Sequence, residues 1–389
     1  MSGLALEAKK ILLNPFLLVS ALFLFFVNGW MGASRIDRYL AEYSDDYLAA
    51  YDTLYSKIEG DVTLNNMKWV VSEKQRLNNV IQSGQFPTEP NQPGTYTGYV
   101  FSDNNLVNQL YEDARYTYEY AAFAQETADA ARQNAALYTA KGNEALVKRY
   151  NEMARRFEGR SVTDFYRTDG WEEYFSYGFS NLPILLLLIV GLAPAFSRER
   201  EIGMCTLLRL TPSGVRKARL QKLVLAFGFT WLVTTLFSMQ DFLLFHAAYG
   251  FRGWGNPLYA IPAFRTSPLS VTIGEYLGIN YAAKWLGAWV FASLVLLASA
   301  LSGSDVASLV VSSGLFVIEI LIGQAVPLAS FLPLLNSIEL NVDFNLWNAS
   351  VPQFALQTIV QAGIALVCIC LACAADSLRY GRIPKEGAR

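Results

Sequence analysis

The chain is poor in charge, in histidine and in cysteine. Only 16% of its 389 residues are charged, where a soluble domain carries nearer a quarter. A single histidine, His246, excludes a histidine-built metal cage. None of the four cysteines lies in the long polar segment 35–176, so no disulfide framework is expected there. Cys368, Cys370 and Cys373 sit in "ALVCICLACAA", where they read as small apolar fillers. No GxxxxGK[ST] phosphate loop occurs, since the nearest stretch, "GNEALVKR", lacks the second glycine. There is no HExxH and no paired-Cys metal spacing. The expectation is a chain that is not an enzyme, has no cofactor of its own and no nucleic-acid partner.

Hydrophobic residues make up 53% of the chain. Six runs are long enough for the roughly 20 apolar residues that span hydrocarbon. They lie near 13–33, 178–196, 223–248, 276–301, 306–326 and 354–375. The first follows Lys9 and Lys10, as a signal peptide would. It is longer than a usual apolar core, and "WMGAS" puts Met31 where cleavage wants a small residue, so it reads as a retained anchor. Lys284 interrupts the fourth run and is expected to snorkel toward the nearer interface beside Trp285 and Trp289. Segment 327–353 is too apolar for an ordinary loop and too broken by proline to span. It is expected to re-enter the membrane, its backbone satisfied by neighbours.

Basic residues are unevenly placed. Segment 197–222 holds seven Lys/Arg, 1–10 holds two and 377–389 holds four, whereas 249–275 holds two and 327–353 none. This bias puts both termini and 197–222 in the cytoplasm and 35–176 outside. The expected class is an all-α membrane protein with six transmembrane helices. Its parts are an amphipathic lead-in with the first span (1–34), a mostly helical extracellular domain (35–176), spans two to six (177–380) and a cytoplasmic tail (381–389).

The extracellular segment carries most of the tyrosines. Tyr39, Tyr43, Tyr47, Tyr51 and Tyr55 recur every fourth residue, a line that drifts about 40° per step on a helix. Tyr43, Tyr47 and Tyr51 are either helix-packing residues or an aromatic surface for a ligand. Further helices are expected near 105–140 and 141–158, with a Pro/Gly-rich loop at 86–98. At membrane depth, Asp241, Glu319 and Gln324 are candidate pathway residues, because polar groups there are costly. The alternative for Asp241 and Glu319 is pairing with a neighbouring helix or contact with water.

Three features resemble the permease subunit of ABC-2 type ABC transporters. One is "EAKKILLNPFLL" (7–18), leading into the first span. Another is the large insertion between spans one and two. The most specific is "FSREREIGMCTLLRLTPSGVRKARLQK" (196–222), with Glu201, Gly203, Leu207, Leu208, Thr211, Pro212 and Lys222 at the family's positions. Where the family often has Thr and an acid, this chain has Met204 and Thr206. The resemblance covers about 1–33 and 177–380 and implies the ABC-2 permease frame. It implies that 197–222 is a coupling loop, with Arg198, Glu199, Arg200, Glu201, Gly203, Leu207, Leu208 and Pro212 facing a separate ABC ATPase. That partner would use the ATP and Mg. A second permease subunit, identical or related, and contact with membrane lipid are implied too. The implied role is export of a peptide antibiotic, lipid or other amphiphile across a bacterial plasma membrane. The competing readings are a loop that only anchors topology, and a membrane receptor whose outside helices bind a ligand.

Overall fold

The computed structural model describes residues 14–40, 45–61, 63–84, 96–203, 214–325, 343–346 and 349–381. The described chain is mostly helical. In order, it runs through α1 (Pro15–Leu40), α2 (Asp45–Ser56), strand β1 (Gly60–Asp61), α3 (Leu64–Ser83), α4 (Val100–Ala140), α5 (Glu144–Phe157) and β2 (Asp164–Phe165). Then come α6 (Asp169–Ser176), α7 (Asn181–Leu192), α8 (Pro194–Glu201), α9 (Gly214–Tyr249), two short 3-10 turns at Leu258–Ala260 and Pro262–Phe264, and α10 (Ile273–Leu301). Last are α11 (Asp305–Ala325), the hairpin β3 (Asp343–Leu346) and β4 (Ala349–Pro352), and α12 (Gln353–Gly381).

Among the described residues, five helical stretches are long and apolar enough to cross a membrane: Pro15–Arg38, Asp169–Glu201, Val215–Tyr249, Ile273–Leu301 and Ala355–Leu378. This supports a multi-pass membrane protein. The fifth expected run gives α11, of which Asp305–Ile318 is the apolar stretch among the described residues. The second crossing is not one smooth helix. It breaks at 177–180 and again at Ala193, where Pro194 opens α8. A proline has no N–H to donate, so it begins a helix more readily than it continues one.

The bundle core gathers Leu185, Leu188 and Leu192 of α7, Phe229 and Val233 of α9, Phe291 and Val295 of α10, and Ala372 of α12. Gly191 lets α7 approach α9 closely, since a Cβ there would lie 2.6 Å from the Phe229 ring. A second core holds the polar domain together: Tyr51, Leu54 and Tyr55 of α2, Val70 and Leu77 of α3, and Leu106, Val107 and Leu110 of α4. The 41 residues of α4 reach about 60 Å.

Several expectations change. Of the tyrosine line, Tyr39 is a position on α1 and Tyr47, Tyr51 and Tyr55 are positions on α2, and residues 41–44 between them lie outside the described residues. Helix α3 was not expected from the sequence. Its signals are the caps: Thr63 Oγ1 accepts from the Asn66 N–H, and Gly84 closes the end in the left-handed region. Of the 327–353 segment, about a third is described. Residues 343–346 and 349–352 pair as antiparallel strands, and β4 lies against α5 of the polar domain. The period-two alternation of "DFNL" suits a strand, so apolar content there is no measure of depth. Residues 326–342 lie outside the described residues.

Candidate functional site

The first site is built where the basic segment meets the bundle. α8 turns its last residues in two directions. Arg198, Glu201 and Ile202 are exposed. Glu199, 6% exposed, faces inward and pairs with Lys222 of α9, 3% exposed, at 2.6 Å. The Lys222 ammonium also lies over the Phe196 ring at 4.8 Å. Arg200 donates through Nη1 to the Ser302 carbonyl at 2.6 Å and sits 3.6 Å from Asp376 of α12. Arg219 of α9 meets the other Asp376 oxygen at 3.1 Å. The Ser197 hydroxyl donates to Asp305 at 2.6 Å, and the Glu201 carboxylate accepts the Asp305 N–H at 3.1 Å. Gly203 ends α8 with φ +69°, a conformation that favours glycine.

Glu199 and Arg200 therefore do not face outward as the coupling reading expects. Two charges buried side by side are stable only when paired, and the chain supplies partners from α9 and α12. Of the expected contact residues, Arg198, Glu201 and Gly203 remain exposed. Leu207, Leu208 and Pro212 lie outside the described residues. Sequence reading missed Asp376 and Asp305. The signal for Asp376 was a lone acid at the end of an apolar run, next to a basic tail.

A second polar site lies inside the bundle. Asp241 of α9, 2% exposed, accepts from the Asn28 amide of α1 at 2.7 Å. Lys284 of α10 reaches the other Asp241 oxygen at 3.5 Å and donates to the Ser180 hydroxyl at 2.6 Å. Ser180 stands at the break between α6 and α7. Asn28 also donates to Gln240 Oε1 at 3.0 Å, and the Tyr177 hydroxyl donates to the Asn28 carbonyl at 3.3 Å. Asp241 thus pairs with neighbouring helices. Lys284 turns to Ser180 and Asp241, and its neighbours Trp285 and Trp289 pack edge-on against Phe227. The pairing was within reach of the sequence. Asp241 and Lys284 lie roughly 10 Å and 12 Å from the same end of two consecutive runs, at about 1.5 Å per residue. Glu319 and Gln324 are positions on α11.

The polar domain is fastened to the connection between α9 and α10. Tyr116 and Tyr120 of α4 donate to the carbonyls of Tyr259 and Arg265 at 2.8 and 3.1 Å. Arg160 donates to the Ser267 carbonyl at 2.9 Å, between the rings of Phe157 and Tyr259. Trp171 Nε1 donates to the Arg252 carbonyl, and Asn256 to the Asp164 carbonyl, both at 2.8 Å. Tyr51 is 4% exposed, stacked on Tyr55 at 4.0 Å with the Arg167 guanidinium over its ring. It belongs to the core and not to an aromatic surface. Tyr43 lies outside the described residues, and Tyr47 is a position on α2. Beside Tyr51, the Tyr55 hydroxyl donates to Asp113. Burial pushes the Asp113 carboxyl up to about 6, the phenol opposing this and the charges of Asp169, Glu112 and Glu172 adding to it.

Among the described residues no three His, Cys, Asp or Glu side chains gather as a metal site would require. The arrangement offers fixed charge pairs and buried hydrogen bonds. Compared with protein-family models, with curated proteins and with solved structures, the chain matches none.

Proposed function

We propose that the chain is the membrane subunit of an ATP-driven ABC-2 type exporter. A separate ABC ATPase, binding ATP and Mg, would dock on the exposed end of α8 and the segment that follows it. The observation that carries this reading is the 196–222 pattern together with the ending of α8. Glu201 and Gly203 stand exposed where α8 stops, while the neighbouring charges are tied into the bundle. A segment mounted so firmly at its two feet is suited to receive force from outside the membrane.

In this reading α11 is a sixth crossing. Its first residue, Asp305, sits with Ser197 and Glu201, and the next described element, the β3–β4 hairpin, lies beside the polar domain. The distribution of basic residues makes the α8 end cytoplasmic and the polar domain extracellular. Six crossings are half of a usual exporter, so a second permease subunit completes the path. The substrate class is amphiphilic, a peptide antibiotic or a lipid, and the membrane a bacterial plasma membrane.

A second reading, a receptor that relays ligand binding, draws on the fastening of the polar domain to the α9–α10 connection. Both are tested by isolating the chain from its native membrane in mild detergent and identifying its companions by mass spectrometry. A stoichiometric ATPase with a GxxxxGK[ST] loop is the expected result. A chain that comes alone under several mild conditions would overturn the exporter and favour the receptor.

A further inference from the structure

Asp376 is 4% exposed, near the end of α12. Two arginines converge on it from two other helices. Arg219 Nε of α9 lies 3.1 Å from Oδ2, and Arg200 Nη2 of α8 lies 3.6 Å from Oδ1. α8 and α9 are the helices on either side of the basic segment, and Glu199–Lys222 joins them to each other a second time. Elsewhere α12 packs chiefly along α10. Its link to α8 and α9 through Asp376 is ionic and buried, and such a pair holds one geometry because neither charge can be left alone.

We infer that Asp376 is a positioning residue that ties α12 to both helices flanking the basic segment, so that α8, α9 and α12 move together. The tie is a property of this chain. Only the identity of the partner that pulls on it rests on the exporter reading.

The test uses Cys370, which is exposed on α12 less than two turns from Asp376. In a chain carrying Cys205→Ser, Cys368→Ser and Cys373→Ser, N-ethylmaleimide labelling of Cys370 reports the setting of α12. The rate is measured in four purified proteins: parent, Lys222→Met, Asp376→Asn and the double variant. Lys222→Met removes the direct tie between α8 and α9 without touching α12, leaving Asp376 as the ion-pair link between them. It is expected to change the labelling rate about threefold or more when Asp376 is present, and to have no effect when it is Asn, a non-additivity typical of coupled sites. If Lys222→Met has the same effect with and without Asp376, including none, the tie is absent. Should Asp376→Asn fail to fold, Arg219→Gln takes its place in the cycle with the same two outcomes.

A second arm uses the complex with its ATPase. Adding ATP and Mg should shift the Cys370 rate in the parent and not in Asp376→Asn. An equal shift in both would overturn the inference. If no ATPase accompanies the chain, the exporter reading fails, while the four-protein cycle still decides the tie.

Discussion

The two ends of the bundle are held by different chemistry. At the α8 end, ion pairs join helices: Glu199–Lys222, Arg219–Asp376 and Arg200–Asp376. At the other end, aromatic rings and backbone carbonyls do most of the joining, and the ion pairs there, Arg35–Glu173 and Arg252–Glu59, are more exposed. Trp171 stacks on Phe251 at 4.1 Å, Tyr120 stacks on Tyr259 at 4.8 Å, and the hydroxyls and indole donate to main-chain oxygens. Stacked rings give area and shape and tolerate a change of partner. Buried ion pairs tolerate almost none, because losing one member strands the other. The polar-domain end is built like a packed core, and the α8 end like a joint.

Three measurements would break or sharpen that contrast. The largest effect is expected at the joint. Glu199→Ala leaves Lys222 buried without its carboxylate and should cost about 3–5 kcal/mol, read as lost denaturant resistance of the purified protein. Replacing both residues by apolar ones, Glu199→Leu with Lys222→Met, should recover most of it. If the single change is as mild as the double, the pair is not a joint.

At the polar-domain end, Trp171→Ala empties a site 1% exposed and should cost nearly as much, about 3–5 kcal/mol. Trp171→Phe keeps an aromatic ring but loses the hydrogen bond to the Arg252 carbonyl, about 1 kcal/mol, and part of the indole's volume, so it should cost less than Ala. Equal losses for Ala and Phe would mean that the hydrogen bond and not the packing holds this end.

The smallest effect follows pH. Asp113 titrates near 6 in the fold, above its ordinary 3.8, so the folded domain binds its proton more tightly than the unfolded chain. Its stabilising contribution is fully present below about pH 4 and is lost as pH rises through 6. A difference of this size corresponds to at most about 3 kcal/mol. Unfolding of the whole chain should therefore show higher stability at pH 5 than at pH 7 from this group. Asp113→Asn, still able to meet Tyr55, should flatten the dependence. An unchanged pH profile in the Asn variant would remove Asp113 as its source.

The segments with strong patterns were legible. Long apolar runs gave the places of α1, α9, α10 and α12, since a helix that crosses lipid must satisfy its own backbone and be apolar along its length, though α9 begins nine residues before its run, at Gly214. Helix α3 was less visible, because its core contacts are few, Val70 and Leu77, and its identity rests on caps. The strand character of 343–352 was hidden behind apolar content that fits a strand and a membrane segment equally well. Of the site, the positions of Glu199, Lys222, Asp241 and Lys284 were visible as charges bordering or interrupting apolar runs. Their partners were not, since Asn28 with Asp241 and Arg200 with Asp376 are brought together from distant parts of the chain.

By itself, then, the sequence determined where the chain is apolar enough to enter a membrane, where its basic residues gather and where a polar helical domain is inserted. These depend on local composition and period, which each segment carries alone. Only the tertiary structure decided which charges are spent inside the bundle and which remain at its surface. A buried charge must find its opposite, and which opposite is near is set by the packing of α1, α8, α9, α10 and α12 together.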